Sequence, residues 1–417
     1  MYALIDCNAC YASCEQIFRP DLRDKPIVVL SNNDGCIVTR NKEAKALNIP
    51  DLQPYFMIKE QLAALNVEVF SSNYALYADI SDRIMTLLSS LGKTIEVYSI
   101  DEAFLDVSGF SALKEHGKLI KKACWQQQRM PVSVGIASTK TLAKLANHIA
   151  KRSKRLNGVC IIENIDSWQA VFNKLPVNKI WGIGNRLSLK LNQLGIHTVQ
   201  DFMYYPVKPL RQQFGIVLER TYRELHGTAC ITFEHAPVDK KSIVCSRSFG
   251  KKTGDYCDLK EAVTFYTSRA AEKLRKQNSQ AQIISVMVST GQQATPYYHN
   301  SIAMGLAYPS QHTPTLIQAA ITALSHLYKA GYEYAKAGVS LLSISTTQHH
   351  QADWIGTQEP NKHKSIMYTI DSLNQRYGKN TLFFASQGIE QSWKMRRDKQ
   401  SPAYTTRIQD IPIVLIK

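Results

Sequence analysis

The chain runs to 417 residues, 44% of them apolar, with a formal net charge of +16. At ~150 residues per domain that length exceeds one simple core, the apolar share excludes a disordered chain, and no apolar stretch reaches the ~18 residues needed to cross a bilayer. Fifty Lys and Arg against 34 Asp and Glu point to a polyanionic partner, nucleic acid first; an unspecific solvated surface charge is the plainer alternative.

The first element is an apolar run, Tyr2-Ala3-Leu4-Ile5, closed by Asp6. Residues 1–12 are expected to form a strand and then turn into a helix near Ala9, and the acid breaks any secretory-leader pattern. Cys7, Cys10 and Cys14 cluster, but no second Cys or His pair follows at zinc spacing. They read as small core hydrophobes in a reduced, cytoplasmic protein. Strands are expected at 27–30 and 36–39 around the turn-rich 31–35, then a helix over 42–47.

A 3.6-residue apolar period marks a helix over 74–91. Strands follow at 94–98 and 104–107, a helix at 111–128, a strand at 132–136, a basic helix at 139–152 and a strand at 159–162. Strand, helix, paired strands, helix, strand is the split βαβ pattern of a ferredoxin-like layer. If the first strand pairs with the 94–107 pair, Asp6 meets Asp101 and Glu102 at one sheet edge. Carboxylates that close repel unless divalent cations hold them, and hard oxygen suits Mg²⁺. Two such ions ~3.5–4 Å apart clamp the attacking and leaving oxygens of a phosphoryl transfer. Asp106 reads as a surface or structural acid.

Residues 166–235 are mainly helical. Within them, residues 175–185 carry Gly182 and Gly184 between a short helix and a second one, a helix-hairpin-helix whose glycines let backbone N–H groups approach a phosphate. An ordinary αα-hairpin is the rival. Residues 240–346 repeat the order βαββαβ, with strands at 242–249, 282–289, 299–305 and 337–346. Helices start at Asp258, with Glu261 at capping-box spacing, and at Thr313, with Pro314 in the first turn. Lys240, Lys241, Arg247, Lys251 and Lys252 stud the first strand, for nucleic acid or as guards of an edge strand. A polar linker containing His349-His350 follows, then a helix at 363–376, an apolar strand at 381–384 and the basic stretch 393–397.

Asp6 with Tyr11, Ser99-Ile100-Asp101-Glu102-Ala103-Phe104 and Gly135-Ile136-Ala137-x-Thr139-Lys140-x-Leu142-Ala143-Lys144 resemble the Y-family (translesion) DNA polymerases. The segments 30–36, Cys245-Ser246-Arg247-Ser248-Phe249-Gly250 and Ser401-Pro402-Ala403-Tyr404-Thr405-Thr406-Arg407 resemble the UmuC branch, the catalytic subunit of DNA polymerase V and its plasmid-borne relatives. The resemblance implies an α+β, multidomain chain. Its parts would be a ferredoxin-like palm (1–12 and 72–165), small fingers (13–71), a helix-hairpin-helix thumb (166–237), a βαββαβ little finger (238–346) and a linker with C-terminal extension (347–417).

By the same resemblance, Asp6, Asp101 and Glu102 are catalytic and, with the Cys7 carbonyl, bind two Mg²⁺ ions, for which Mn²⁺ can substitute. Tyr11 takes the steric-gate position under the sugar, although from the residues alone a packing aromatic is the simpler reading. Thr39, Lys42, Lys45 and Lys151 would contact the triphosphate; Lys42 and Lys45 stand where relatives often carry Tyr and Arg, giving up a bidentate fork. Cys10 departs from an aromatic common before the gate. DNA contacts are implied for Lys144, Gly182, Gly184, Arg247 and Lys251. A clamp-binding peptide falls on Gln351, Trp354 and Ile355, with Ala352 a departure. The resemblance further implies primer–template DNA and dNTP as substrates, a UmuD′-like dimer, a RecA filament and a sliding clamp as partners, no membrane, and error-prone synthesis across damage in an SOS-type response. A nucleotidyl cyclase-like palm enzyme and a non-catalytic DNA-binding scaffold are the alternatives.

Overall fold

The structure, a computed structural model, describes residues 1–234, 239–347 and 360–413. By internal contacts the chain divides into two units, Met1–Ser31 with Gly35–Pro237 and Lys399–Lys417, and Asn32–Asp34 with Val238–Asp398. The first unit begins β1 (Tyr2–Cys7), α1 (Cys10–Phe18), β2 (Ile27–Leu30), β3 (Ile37–Arg40), α2 (Lys42–Ala46), α3 (Tyr55–Ala64), β4 (Glu68–Ser71) and α4 (Tyr74–Ser89). It continues β5 (Ile95–Val97), β6 (Glu102–Asp106), α5 (Leu113–Gln128), β7 (Val132–Ala137), α6 (Lys140–Arg152) and β8 (Val159–Ile162).

The large sheet runs β5-β6-β1-β7-β8, with β1 antiparallel to both neighbours and β8 added parallel to β7. Both faces are covered, which is why β1 and β7 read as unbroken apolar runs rather than alternating ones. Ala3, Ile5 and Cys7 pack with α4 and α5, while Leu4 and Phe104 pack with α6 and the helical segment beyond it. Cys10 and Cys14 are buried free thiols in the first of those cores, as expected of small hydrophobes. Cys14 of α1, assigned by the sequence to the fingers, belongs to this same core as Ala12.

A small sheet, β3-β2-β4, pairs β2 antiparallel to β3 and parallel to β4. Neither α3 nor β4 was expected. β4 is four residues long, and α3 leaves Phe56 and Met57 exposed, so its apolar residues trace no single face. The helical segment then contains α7 (Gln169–Phe172), α8 (Asn185–Gln193), α9 (Val199–Tyr204) and α10 (Val207–Leu225). The expected first helix of the glycine hairpin is a 3₁₀ turn, Val177–Lys179, entered from Pro176.

The second unit comprises β9 (Ile243–Thr253), α11 (Tyr256–Lys276), β10 (Ser279–Ser289), β11 (His299–Ser310), α12 (Thr313–Leu327), β12 (Tyr334–Thr346) and α13 (Asn361–Tyr377). Its element order is the expected βαββαβ, but its sheet runs β11-β10-β12-β9, so the last strand lies between the first and second. In the large sheet, by contrast, β1 is central. Helix α11 starts two residues earlier than expected: Asp255 caps it by accepting from the Cys257 N–H at 2.9 Å, and Asp258 instead accepts from the Thr253 hydroxyl at 2.7 Å. No strand forms at 381–384. Asn374 holds the Leu382 backbone by two bonds of 2.9 Å, and a 3₁₀ turn, Ala385–Gln387, follows. No helix among the described residues is long and apolar enough to cross a membrane.

Candidate active site

The register of β1 and β6 sets Asp6 directly opposite Glu102, and the Cys7 N–H donates to the Asp101 carbonyl at 2.8 Å. The two apolar runs therefore do bring their acids to one sheet edge. Ser99 fixes the approach of the second pair: its hydroxyl donates to Asp101 Oδ1 at 2.6 Å and accepts from the Glu102 N–H at 3.0 Å. Asp106 lies at the other end of β6, where its carboxylate accepts from the Ser108 N–H at 2.9 Å, a structural role as expected.

From β1 the chain turns sharply into α1 through Ala9, held in the left-handed region at φ 47°, ψ 47°. A non-glycine residue there carries strain, and the surroundings must hold it. The Asn8 N–H donates to the Pro131 carbonyl at 2.8 Å, and the Ser13 hydroxyl donates to the Asn8 carbonyl at 2.8 Å. The turn places Tyr11 at the cleft beside Asp6.

Helix α6 supplies the counter-charges. Thr139 caps it, accepting from the Leu142 N–H at 3.2 Å, and the buried Glu224 carboxylate accepts from the Thr141 N–H at 3.1 Å. Along the helix, Lys144 Nζ meets Glu102 at 2.7 Å and Lys151 Nζ meets Asp6 at 2.5 Å. Asp6 is 8% exposed. Burial pushes its carboxyl up to about 6, opposed by Lys151 and reinforced by Glu102.

A cleft of about 420 Å³ collects Asp6, Cys7, Tyr11, Thr39, Lys45, Asp101 and Lys151. Two expected residues are not among its lining. Lys42 sits in the first turn of α2, and Glu102 turns instead to Lys144. Arg40 does line the cleft and was passed over by the sequence reading, because it lies at the end of β3 among several basic residues. It also pairs with Asp51 at 3.2 Å. Lys144, expected at DNA, is committed to Glu102 and lies over the rings of Tyr98 at 4.4 Å and Trp181 at 5.4 Å.

These donors are hard oxygens beside strong counter-cations, the chemistry of a divalent-ion site. Among the described residues no group of three His, Cys, Asp or Glu side chains is placed to hold a metal ion. Asp6 and Glu102 are each held by a lysine, so a divalent ion there would need further oxygens, such as those of a bound phosphate.

The half-buried ring of Tyr11 stacks on Tyr77 with centroids 4.6 Å apart and 14° between planes, and meets the edge of Tyr74 at 5.9 Å. Burial, then the neighbouring Tyr74, pushes its phenol up to about 12. Gly182 takes φ +86° in the hairpin turn, and a Cβ at Gly184 would meet nothing within 4 Å, so the backbone there is open to a ligand. In the second unit, Arg247 and Lys251 are exposed on β9, which among the described residues pairs with β12 alone. Gln351, Trp354 and Ile355 lie outside the described residues.

Known proteins match along the whole length. The impB/mucB/samB family matches residues 5–148, the IMS family HHH motif 166–196, the impB/mucB/samB family C-terminal domain 240–354, and a domain of unknown function 364–414. Protein UmuC of Salmonella typhimurium is 44% identical over 99% of each chain, and protein MucB of Escherichia coli 42% identical over 100% of each. DNA polymerase IV 1 of Bacillus subtilis is 27% identical over 90% of each. A solved Y-family DNA polymerase chimera shares the fold, with a TM-score of 0.64 at 23% identity over 83% of this chain and 99% of that one.

Proposed function

The chain belongs to the UmuC (impB/mucB/samB) branch of the Y-family DNA polymerases and is an error-prone, translesion DNA-directed DNA polymerase, and from that premise we propose how its cleft extends a primer. Asp6, Asp101 and Glu102 take the metal-binding positions, with the Cys7 carbonyl as a further donor. A pair of Mg²⁺ ions held there would lower the pKa of the primer 3′-hydroxyl and offset the negative charge that develops on the leaving pyrophosphate. Lys45 and Lys151 neutralise the triphosphate, and Thr39 and Arg40 orient it. Lys151, ion-paired to Asp6 in this structure, would exchange that carboxylate for phosphate when nucleotide binds. Tyr11 lies under the sugar and rejects a ribose 2′-hydroxyl. The observation that carries this reading is the register pairing of Asp6 with Glu102, with Asp101 lining the same cleft as Asp6 among cationic groups.

The test is incorporation of labelled dNTP on a primed template, undamaged and with an abasic site, with and without Mg²⁺. A cyclase would need no template and a scaffold would incorporate nothing. Repeating the lesion assay with a UmuD′-like dimer, a RecA filament and a sliding clamp tests those proposed partners of a cytoplasmic SOS-type response. An unchanged rate with all three would remove them.

Because Asp6 holds its proton up to about 6, protons compete with the cation. Ionised Asp6 is the binding form, so affinity falls as pH drops through 6. The half-saturating Mg²⁺ concentration should rise by about tenfold per pH unit below that point and stay level above ~7. A flat Mg²⁺ titration from pH 5 to 8 would show that the Asp6 proton does not compete with the cation in that range.

DNA is held through phosphates by Gly182 and Gly184 in the hairpin and, separately, by Arg247 and Lys251 on β9. Replacing both basic residues by alanine should lower the slope of log affinity against log salt by about 2 for every sequence alike. An unchanged slope in a fluorescence-anisotropy titration counts against that surface.

A further inference from the structure

Residues 399–404 return to the first unit and bind both helices that carry the aromatic stack at the cleft. The Ser71 N–H donates to the Lys399 carbonyl at 3.0 Å, and the Lys399 N–H donates to the Ser71 hydroxyl at 2.9 Å, docking the segment beside the end of β4. Asn73, which caps α4, gives its side-chain N–H to Ser401 Oγ at 3.0 Å. The Ser401 hydroxyl donates to Glu15 Oε1 on α1 at 3.1 Å, and the Tyr77 hydroxyl on α4 donates to the same oxygen at 2.6 Å. Tyr404 stacks on Phe18 of α1 at 4.7 Å and 11°. Glu15 and Tyr77 are fully buried, and Asn73 and Ser401 nearly so.

Glu15 Oε2 has no partner among the described residues, so the polar bonds of that carboxyl run through Oε1 to Tyr77 and Ser401 alone. Burial lifts the carboxyl to about 7 against those two bonds. Such a group is costly unless its few partners are kept. The line of contact is therefore Ser401, Glu15, Tyr77, then the face of Tyr11.

We propose that the C-terminal segment around Ser401 is a buttress that sets the Tyr11 ring, so that discrimination between dNTP and rNTP depends on residues nearly 400 positions away in sequence. The proposal rests on Tyr11 being the sugar gate and deepens that reading. Ser401, Glu15 and Tyr77 are positioning residues that touch no substrate. Their loss tilts or loosens the ring without removing a metal ligand, a phosphate contact or the ring itself.

The experiment measures kcat/KM for one dNTP and its rNTP in full-length Ser401→Ala, Tyr11→Ala and the double variant. Ser401→Ala should lower the dNTP preference by about five-fold through faster rNTP use, the scale of one lost hydrogen bond. Its kcat for dNTP should stay unchanged. In the Tyr11→Ala background Ser401→Ala should add nothing, since coupled residues are not additive. Tyr77→Phe, which keeps the ring and removes the hydroxyl, should repeat the Ser401→Ala result and serves if that variant melts. Unchanged preference in both variants overturns the buttress while leaving the gate, provided Tyr11→Ala loses discrimination. A full additional loss in the double variant overturns it as well. If Tyr11→Ala discriminates like the parent protein, the gate itself is wrong and the proposal falls with it.

Discussion

Asp101→Ala should cut nucleotide incorporation by on the order of 10³-fold or more, about 4 kcal/mol of transition-state stabilisation, while primer–template binding is retained. Asp101 is tied down by the Ser99 hydroxyl on its side chain and by the Cys7 N–H on its carbonyl, so the loop has a fixed aim. Among the described residues it has no ion-pair partner, in contrast to Asp6 with Lys151 and Glu102 with Lys144. Its removal takes away one acid and leaves the lysines matched to the other two. The variant should fold normally, and its loss should appear in kcat at saturating dNTP. Retained turnover in single-nucleotide extension would refute the assignment.

Gly135→Ala should destabilise the first unit by about 3 kcal/mol, toward the upper end of overpacking costs. An added Cβ would lie 2.2 Å from the Asn147 nitrogen and 2.3 Å from the Ala143 carbonyl oxygen. Both are backbone atoms of α6, so no side-chain rotation relieves the clash, and the helix must move. It cannot move freely, because Asn147 donates to the Leu4 carbonyl at 3.2 Å and to the Ser133 carbonyl at 2.8 Å. Lys144 and Lys151 ride on the same helix, so activity should fall with stability. Gly305 is the control: nothing lies within 4 Å of its Cβ position, and Gly305→Ala should stay within about 0.5 kcal/mol. Urea unfolding of the pair, with equal losses, would refute the close-packing argument.

The parts of this protein that can be read from its residues are those where one local pattern has one physical cause. β1 and β7 are continuous apolar runs because α4, α5 and α6 cover both sheet faces. An acid at the end of such a run has to lie at a sheet edge, and Asp6, Asp101 and Glu102 do. What escaped notice depends on long-range partners. Lys144 and Lys151 stood out only through the family resemblance, as DNA and triphosphate contacts, and their ion pairs with Glu102 and Asp6 form only when the helix is laid across the sheet. Arg40 could not be singled out among its basic neighbours. The run 381–384 has strand-like residues but no neighbouring strand to pair with. Ser401 carried a family likeness and nothing more, since its bonding to Glu15 is set only when the chain folds back.

That return has a consequence for biogenesis. Glu15 leaves the ribosome 386 residues before the hydroxyl that bonds it, a separation that makes the closure a late event in folding. The second unit has to be synthesised before the first one is complete. Until then, Glu15 and Asn73 are without the partner that joins them, and a nascent polymerase lacks the support of the ring proposed to select its sugar.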